Sequence, residues 1–437
     1  MRRKTVKRAT KRRTKRETAS AGIALDRRRL MRGLAAAGLL PAWGRVAWHG
    51  STLCGPAVWG LTGCGSDESS GGRNPGESGP AGSEDDALTA ELWLSAQGDA
   101  PETYGVAMLQ AGGSDVEIVR SGFRGHDLAQ HPTEPELVVM FGRRPGRFGF
   151  VLDVAQGVER ARFDVASNRS LMGHGFFSLD GSLLYTTEAD TVSGEGYLAV
   201  RRTDTWAQVA EIPTGGIGPH QACLMPSGDT AVIANGGILT RPETGREKLT
   251  LDTMDSSICI LELETGRELD RQRVAEPKAS IRHLDVDDEG AIAIGLQVQR
   301  EAMEHTELVP LVGLYRRGEP IALFEAGSQV MSSMNDYVGS VALNPATRVA
   351  GFTSPRGNLV GFWSVDDGSQ LGFAELADVT GITVSADRST FVISSSVGQV
   401  RHIDATTLEE RREMRHESPG VRWDNHLITA RRSREEV

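Results

Sequence analysis

Hydrophobic and polar residues alternate in short runs along most of the chain, and a period of two is typical of β-strands that bury one face. The runs come in groups with a constant order. A short apolar strand leads into a polar turn such as Asp288-Glu289-Gly290, a second strand follows, and after a variable loop a third strand ends in a turn such as Leu263-Glu264-Thr265-Gly266. This pattern predicts antiparallel units rather than strands that alternate with helices.

The group starts seven times along the chain. Five starts place a histidine at nearly one register, at positions 126, 174, 220, 283 and 426, and the other two fall at positions 340 and 381. The intervals between these positions run from 41 to 63 residues, which suits four-stranded propeller blades once two loop insertions are allowed. The sequence therefore predicts an all-β fold, a seven-bladed β-propeller of the WD-repeat or YVTN-like kind, over residues 88–430, with a C-terminal tail at 431–437.

The two ends of this region predict how the ring closes. Segments 92–96, 104–109 and 116–119 have the pattern of second, third and fourth strands with no first strand before them, and residues 426–430 can supply that first strand. A blade built from both ends of the chain removes the open sheet edges of an incomplete ring. We therefore expect closure by strands from both termini, and helix only between residues 328 and 336.

The first residues are basic and then apolar. Arg27-Arg28-Arg29-Leu30-Met31-Arg32 precedes an apolar segment at 34–40, an order that resembles a twin-arginine export signal, with a basic nucleic-acid-binding tail as the alternative. Leu61-Thr62-Gly63-Cys64 matches the pattern at which bacterial lipoproteins are cleaved and acylated. We therefore interpret residues 1–64 as an export signal that ends in a lipidated Cys64, with simple cleavage before this residue as the alternative. The lipid would anchor the protein to a membrane in the periplasm.

The composition of the residues that follow this leader indicates which partners the protein can bind. Residues 65–87 are rich in glycine, serine and acidic side chains and are interpreted as a flexible acidic tether. Residues 1–63 hold 15 of the 48 Lys and Arg but 2 of the 58 Asp and Glu, so the remainder carries 33 basic against 56 acidic residues, a net charge of −23. Because so acidic a surface repels phosphate backbones, we expect no nucleic acid among the partners.

Five histidines from five blades are expected to converge at one mouth of the central channel. Imidazole is a good ligand for copper, iron or zinc, and a rigid ring of strands needs little reorganisation to bind a metal ion. The predicted metal ligands are His126, His174, His220, His283 and His426. Loops between second and third strands return to the same mouth, and the ligand-binding residues predicted there are Asp127, Arg143, Arg144, Glu188, Asp190, Asn235, Arg241 and Arg356.

These further residues have different expected roles. Asp127, Glu188 and Asp190 would add oxygen ligands or orient the imidazoles. The arginines beside the histidines would suit a carboxylate, such as a metal-chelating acid. A long insertion, which Asn235 opens and which contains Arg241, would be either a lid over the mouth or a solvated surface loop.

The histidines also have a structural interpretation. In WD-repeat propellers a histidine at this junction hydrogen-bonds within its own blade, and side chains of an innermost strand alternate towards neighbouring blades rather than into the channel. The protein would then be a scaffold for protein partners. Histidines without this register, His305, His402 and His416, are interpreted as surface residues.

Catalysis is a third possibility, because propellers include hydrolases and quinone-dependent dehydrogenases. Glu188 with His174 or His220 could serve as a base and its orienting partner. The sequence contains no Gly-x-Ser-x-Gly motif, no CxxCH haem attachment and no nucleotide-binding loop, so a binding protein is preferred to an enzyme. Cys223 and Cys259 fall two strands apart in one blade, too far for a disulfide, and are expected to be free thiols.

Several short motifs in combination resemble one family. They are GHD, GRRPG, GHG, TEAD, GPH, ANGG, RPETGREKL, LDTM, SIRHL, VGSVA, TSPRG and WDNH, in that order over residues 90–430. The series is similar to an uncharacterised family of exported proteins, a domain of unknown function found as twin-arginine-exported periplasmic propellers. The resemblance implies an association with imelysin-like proteins of iron uptake and no established activity. We therefore expect an exported propeller that binds a metal ion or metal chelate in iron or copper uptake or handling.

Overall fold

The computed structural model describes residues 89–245 and 247–433. Within them the chain forms seven four-stranded antiparallel sheets arranged in a ring, which confirms the predicted seven-bladed β-propeller. The export signal, Cys64 and the tether at 65–87 lie outside the described residues.

The blade that closes the ring, blade 7, is built from both ends of the described chain. Its strands, from the outer edge inwards, are β3 (Val116–Arg120), β2 (Gly105–Gln110), β1 (Thr89–Gln97) and β28 (Ile428–Ser433). Strand β28 pairs antiparallel with β1, and Ala430 lies opposite Leu92. This pairing confirms closure by strands from both termini, and β28 continues to Ser433, into the segment interpreted as a tail.

The other six blades are continuous in the chain, and in each the first strand is innermost and the fourth is outermost. The strands of blades 1, 2 and 3 are β4 (Gly125–Gln130), β5 (Leu137–Gly142), β6 (Phe148–Asp153), β7 (Val158–Asp164), β8 (Arg169–Phe177), β9 (Leu183–Asp190), β10 (Glu195–Arg202), β11 (Gln208–Ile217), β12 (Pro219–Leu224), β13 (Thr230–Asn235), β14 (Ser257–Glu262) and β15 (Glu268–Gln272). The strands of blades 4, 5 and 6 are β16 (Ala279–Val286), β17 (Ile292–Val298), β18 (Val312–Tyr315), β19 (Ala322–Phe324), β20 (Ser340–Asn344), β21 (Val349–Ser354), β22 (Leu359–Ser364), β23 (Gln370–Glu375), β24 (Val379–Val384), β25 (Thr390–Ser395), β26 (Gln399–Asp404) and β27 (His416–Glu417).

Helix plays the small part that the sequence predicts. The α-helix of the described residues, α1 (Ser328–Ser333), falls inside the predicted segment, and short 3-10 turns occur in connecting loops. No helix in the described ranges is long and apolar enough to span a membrane. Cys223 in β12 and Cys259 in β14 are both free, as expected from their spacing.

The core consists of apolar side chains packed between neighbouring blades. Val232 of β13, Ile294 of β17 and Phe352 of β21 belong to one buried cluster that joins blades 3, 4 and 5. A fully buried side chain of this kind stabilises the fold by about 1.5–3 kcal/mol through its removal from water. Because the innermost strands of neighbouring blades also contact one another, the packing brings the starts of those strands together around the axis.

Five innermost strands lose their regular pairing at one point, and in four of them a histidine of the cluster lies at that point. The register shifts lie between Gly125 and Leu128 in β4, Leu171 and Gly175 in β8, Pro219 and Ala222 in β12, Ile281 and His283 in β16, and Val379 and Ile382 in β24. Such bulges redirect side chains. Strict alternation therefore does not decide where the histidines on these strands point.

Candidate metal centre

Five imidazole rings from five blades pack into one compact cluster. Their ring centroids are 4.9 Å apart for His126 and His174, 4.6 Å for His174 and His220, 4.9 Å for His220 and His283, 5.1 Å for His283 and His426, and 4.7 Å for His426 and His126. The rings of His174 and His426 also lie 4.7 Å apart. Each histidine exposes at most 4% of its surface. The structure thus brings together all five predicted metal ligands.

A glycine makes the close approach of the first two rings possible. Gly173 has a φ of +105°, which other residues rarely adopt, and a Cβ at this position would lie 2.5 Å from Cδ2 of His126. Any side chain at residue 173 would therefore displace the His126 ring. Gly173 and His174 lie in the middle of β8, where the register shift and the packing of the cluster both require the glycine.

Two carboxylates orient two of the rings from neighbouring blades. Nδ1 of His174 lies 2.8 Å from Oδ2 of Asp127, and Nδ1 of His126 lies 3.4 Å from Oδ1 of Asp424. Arg143 donates to both oxygens of Asp424, at 2.5 and 2.8 Å, and so fixes that carboxylate. A carboxylate that accepts the Nδ1 proton leaves Nε2 as the lone-pair donor, which is the arrangement usual behind metal-bound histidines.

The electrostatics of the cluster favour neutral imidazoles. Burial lowers the pKa values of His126, His220 and His283 well below the ordinary value, and lowers the pKa of His426 to about 4. For Asp127, burial raises the pKa, but the influence of His426 and the hydrogen bond with His174 outweigh it, so its pKa lies below the ordinary value. At neutral pH these four histidines can offer lone pairs without first losing a proton.

Several buried ring nitrogens of the cluster have no hydrogen-bond partner in the described part of the chain. They are Nε2 of His174, Nδ1 of His220, both nitrogens of His283 and Nε2 of His426. A buried polar atom without a partner costs about 1–3 kcal/mol, and a concentration of such atoms indicates a ligand or ion. The cluster therefore has the free donor atoms that a metal site requires.

Two triads within the cluster bring their ligand atoms within 4.8 Å of one another, and they share a residue. One triad is His126, His174 and His426, and the other is His174, His220 and His283. Because Nδ1 of His174 is bound by Asp127, only its Nε2 is available, and one nitrogen cannot serve two ions. Since nitrogens around a tetrahedral ion stand roughly 3.3 Å apart, small ring rotations would close either triad on one metal ion.

Three predicted polar residues lie outside this cluster. Glu188 is paired with Arg201 at 2.7 Å. Asp190 is paired with Arg169 at 3.0 Å and accepts backbone N–H groups of its own turn. Asn235 accepts a hydrogen bond from the Thr214 hydroxyl at 2.8 Å. The hydrogen-bond donors to these three residues come from the same blade or from the preceding one. The order of residues along the repeat does not reveal such contacts.

The four predicted arginines have different surroundings. Arg143 reaches the cluster through Asp424. Arg144 and Asp190 line a cavity of about 10 Å³ between blades 1, 2 and 3. Arg241 is exposed in the insertion, and Arg356 is exposed with its guanidinium 4.9 Å from the ring centroid of Tyr337.

The long insertion is partly packed against the propeller. Ile238, Leu239 and Met254 are buried, and Nζ of Lys248 lies 2.5 Å from a carboxylate oxygen of Glu301 in the next blade. These contacts make the insertion more than a solvated surface loop. Whether it acts as a lid stays a prediction.

Sequence reasoning missed part of the site. Asp424 holds His126 and is in turn held by Arg143 and Arg124, and the Asn425 amide donates to the Tyr337 hydroxyl at 2.8 Å. The closing motif WDNH contains Asp424 two residues before its histidine, and this acidic neighbour was the available signal. Among the other histidines, His402 is 1% exposed, so its interpretation as a surface residue is wrong.

A cavity of about 450 Å³ extends from the cluster along the innermost strands. Asp127 and His426 line it beside the rings, and Asp285, Thr383 and Thr429 line it further along β16, β24 and β28. Burial raises the pKa of Asp285 to about 6, although its carboxylate accepts backbone N–H groups. This cavity is the central channel of the propeller.

The fold and the site define a seven-bladed β-propeller with a buried five-histidine cluster at one end of its central channel. The chain belongs to the family described as "Protein of unknown function (DUF1513)", which matches residues 120–430. This confirms membership of an uncharacterised family, whereas twin-arginine export and the association with imelysin-like proteins stay predictions.

Comparison with other known proteins adds information on the fold. No curated protein matches the sequence. Among solved structures, hydrazine synthase from Kuenenia stuttgartiensis is similar with a TM-score of 0.52 and 15% identity, over 67% of this chain and 86% of that chain. At this identity the similarity concerns the propeller fold alone.

Proposed function

We propose that this protein is a metal-binding propeller whose histidine cluster holds one late first-row transition-metal ion. The observation that carries the proposal is the cluster of five buried imidazoles with unpartnered ring nitrogens. Rings that only stabilised the fold would be expected to spend their nitrogens on hydrogen bonds within a blade. The bonds of this cluster instead join blades and leave donor atoms free.

The donor set indicates the class of metal. Neutral imidazole suits copper, zinc, nickel and iron, whereas calcium and magnesium prefer oxygen ligands. The thiol of Cys223 is protonated at neutral pH because burial raises its pKa well above the ordinary value, so thiolate ligation is not part of the proposal. Among divalent ions competing for such a site, copper is expected to bind most tightly.

His174 and Asp127 have the central roles in this proposal. His174 belongs to both triads, and Asp127 holds it with Nε2 turned to the other rings. Asp424, fixed by Arg143, has the same role for His126. With export to the periplasm as predicted, the protein would serve metal uptake or handling there, beside partners of the imelysin-like kind, and without turnover of a substrate.

Elemental analysis tests the proposal directly. The full chain, purified from its native compartment without chelator, is compared with a variant that carries His126→Gln, His174→Gln and His220→Gln. We expect about one equivalent of copper, zinc or iron in the wild type and none in the variant. A wild type that stays empty after exposure to all three ions would refute the proposal, and circular dichroism confirms that the variant is folded.

A further inference from the structure

The two sides of the histidine cluster are not equally open. On the side of the loops that join second and third strands, Arg143 and Arg124 hold Asp424, and Asn425 is bound to Tyr337. The cavity between the loops of blades 1, 2 and 3 on this side has a volume of about 10 Å³, room for about one water molecule. Hydrogen-bonded polar side chains therefore lie over the cluster on its loop side.

The other side of the cluster faces the central channel. The channel has a volume of about 450 Å³, and six water molecules occupy roughly 180 Å³ of liquid, so a divalent ion with its hydration shell fits inside. His426 lines the channel, is 4% exposed and has an Nε2 without a hydrogen-bond partner in the described ranges. A residue of the proposed site thus lines this space, although its Nε2 is itself buried.

The charged side chains in the wall of the channel are acidic. Among the described residues its lining includes the carboxylates of Asp127 and Asp285, the hydroxyls of Thr383 and Thr429, and no lysine or arginine. A narrow passage with walls of one sign concentrates ions of the opposite sign. On the loop side Arg124 and Arg143 share the Asp424 carboxylate and Arg282 donates to Gln297, so that cationic side chains lie there.

We propose that the histidine cluster receives its metal as a free hydrated divalent cation, which enters through the acidic channel past Asp285, and not as an anionic chelate from the loop side. This inference rests on the proposed function and adds the chemical class of the cargo and its route. Asp285 is a positioning residue in this role: it attracts the ion and does not ligate it in the cluster.

Copper association kinetics test the route. The metal-free full chain is mixed with aqueous Cu²⁺ in a stopped-flow instrument, and the association rate constant is measured for Asp285→Asn, Thr383→Arg and the neutral control Thr383→Gln. We expect a loss of about threefold to tenfold for Asp285→Asn and about tenfold or more for Thr383→Arg, with both losses shrinking as ionic strength rises. Thr383→Gln should stay near the wild-type rate, and the amount of copper bound at equilibrium should be unchanged in all three.

Two further measurements decide from which side of the cluster the metal enters and whether it arrives as a free ion or as a chelate. Arg356→Glu changes the charge of the exposed loop side and should leave the rate constant unchanged. Copper supplied as its anionic nitrilotriacetate chelate should transfer only as fast as the chelate dissociates. If the channel variants keep the wild-type rate while copper binds, or if the chelator is retained with the metal, the inference is wrong and the proposed function stands. If the wild type binds no metal, both are wrong.

Discussion

Blades 5 and 6 form the same four-stranded sheets as the other five blades, yet their innermost strands carry no histidine at the start. Ser340 opens β20 and pairs with Thr353, and in β24 the register shift that accompanies histidines elsewhere contains Thr380 and Gly381. A blade of this propeller therefore does not need the histidine in order to form. The comparison distinguishes the residues that a four-stranded sheet requires from the histidines that the five other blades carry in addition.

The hydrogen bonds support the same distinction. In blade 6 the Thr380 hydroxyl is bound to Ser394 of its own blade, at 3.0 Å. The His174 ring is bound to Asp127 of the preceding blade, and the His126 ring to Asp424 beside β28. The Ser340 hydroxyl of blade 5 also accepts from the Ile382 N–H of blade 6, at 3.4 Å, so the histidines differ in their unpartnered ring nitrogens rather than in bonding across blades. This difference favours the ligand interpretation over the structural one.

The largest effect is expected at the residue that both triads share. His174→Gln keeps a donor for Asp127 but removes the imidazole, and we expect copper affinity to fall by about a hundredfold or more, above the range known for residues behind the ligands. Isothermal titration with competing chelator measures this. Ser340→Ala, the matched change in a blade without histidine, should leave affinity unchanged. Equal losses in the two variants would contradict the distinction between the blades.

A smaller loss is expected when the carboxylate behind His174 is neutralised. In Asp127→Asn the amide N–H₂ would face Nδ1 of His174 and favour the tautomer with its proton on Nε2, which has no lone pair for a metal there. Copper affinity should fall by about 10–100-fold, measured by the same titration. An unchanged affinity would mean that the orientation of His174 does not depend on Asp127.

The smallest effect on metal binding is expected at a buried histidine outside the cluster. His402 packs edge-on against Trp93 at 4.6 Å, and burial lowers its pKa to about 4. His402 takes up a proton near pH 6.5 in the unfolded chain but only near pH 4 in the folded protein. Protonation therefore favours the unfolded state, and His402 lowers the free energy of unfolding by roughly 2 kcal/mol as the pH falls from 7 to 5.

Chemical denaturation of His402→Phe and wild type across this pH range measures that contribution. The difference in unfolding free energy between the two proteins should change with pH in the direction that favours the variant at low pH. Copper affinity should be the same in both, because His402 lies in β26 and not in the cluster of rings. A pH-independent difference in stability would contradict the assigned role.

The sequence was sufficient for the architecture because its information is local and repeated. The alternation of apolar residues, the polar turns and the seven starts predict seven blades, and the incomplete first group predicts closure by residues 426–430. The register of the histidines also predicts that the five imidazoles meet. These features follow from strand periodicity and from the fact that every blade places its first strand at the axis.

Contacts of the site that join different blades could not be predicted without the tertiary structure. Asp424 and Arg143 are 281 positions apart in the chain and meet only because the ring closes. Glu188, predicted in a loop at the mouth, lies in β9 and is paired with Arg201 on the adjacent strand. A repeat pattern fixes where each strand begins, but not which side chain a neighbouring blade offers to it, because that depends on bulges and ring closure.

By itself, then, the sequence determined the number of blades, their closure and the identity of the five imidazoles. Only the tertiary structure decided that the rings turn to one another, that Asp127 and Asp424 hold two of them, and that a channel with Asp285 in its wall leads to the cluster. The physical reason is that strand periodicity is set by neighbours in the chain, whereas orientation, burial and charge at the axis are set by residues from all the blades together.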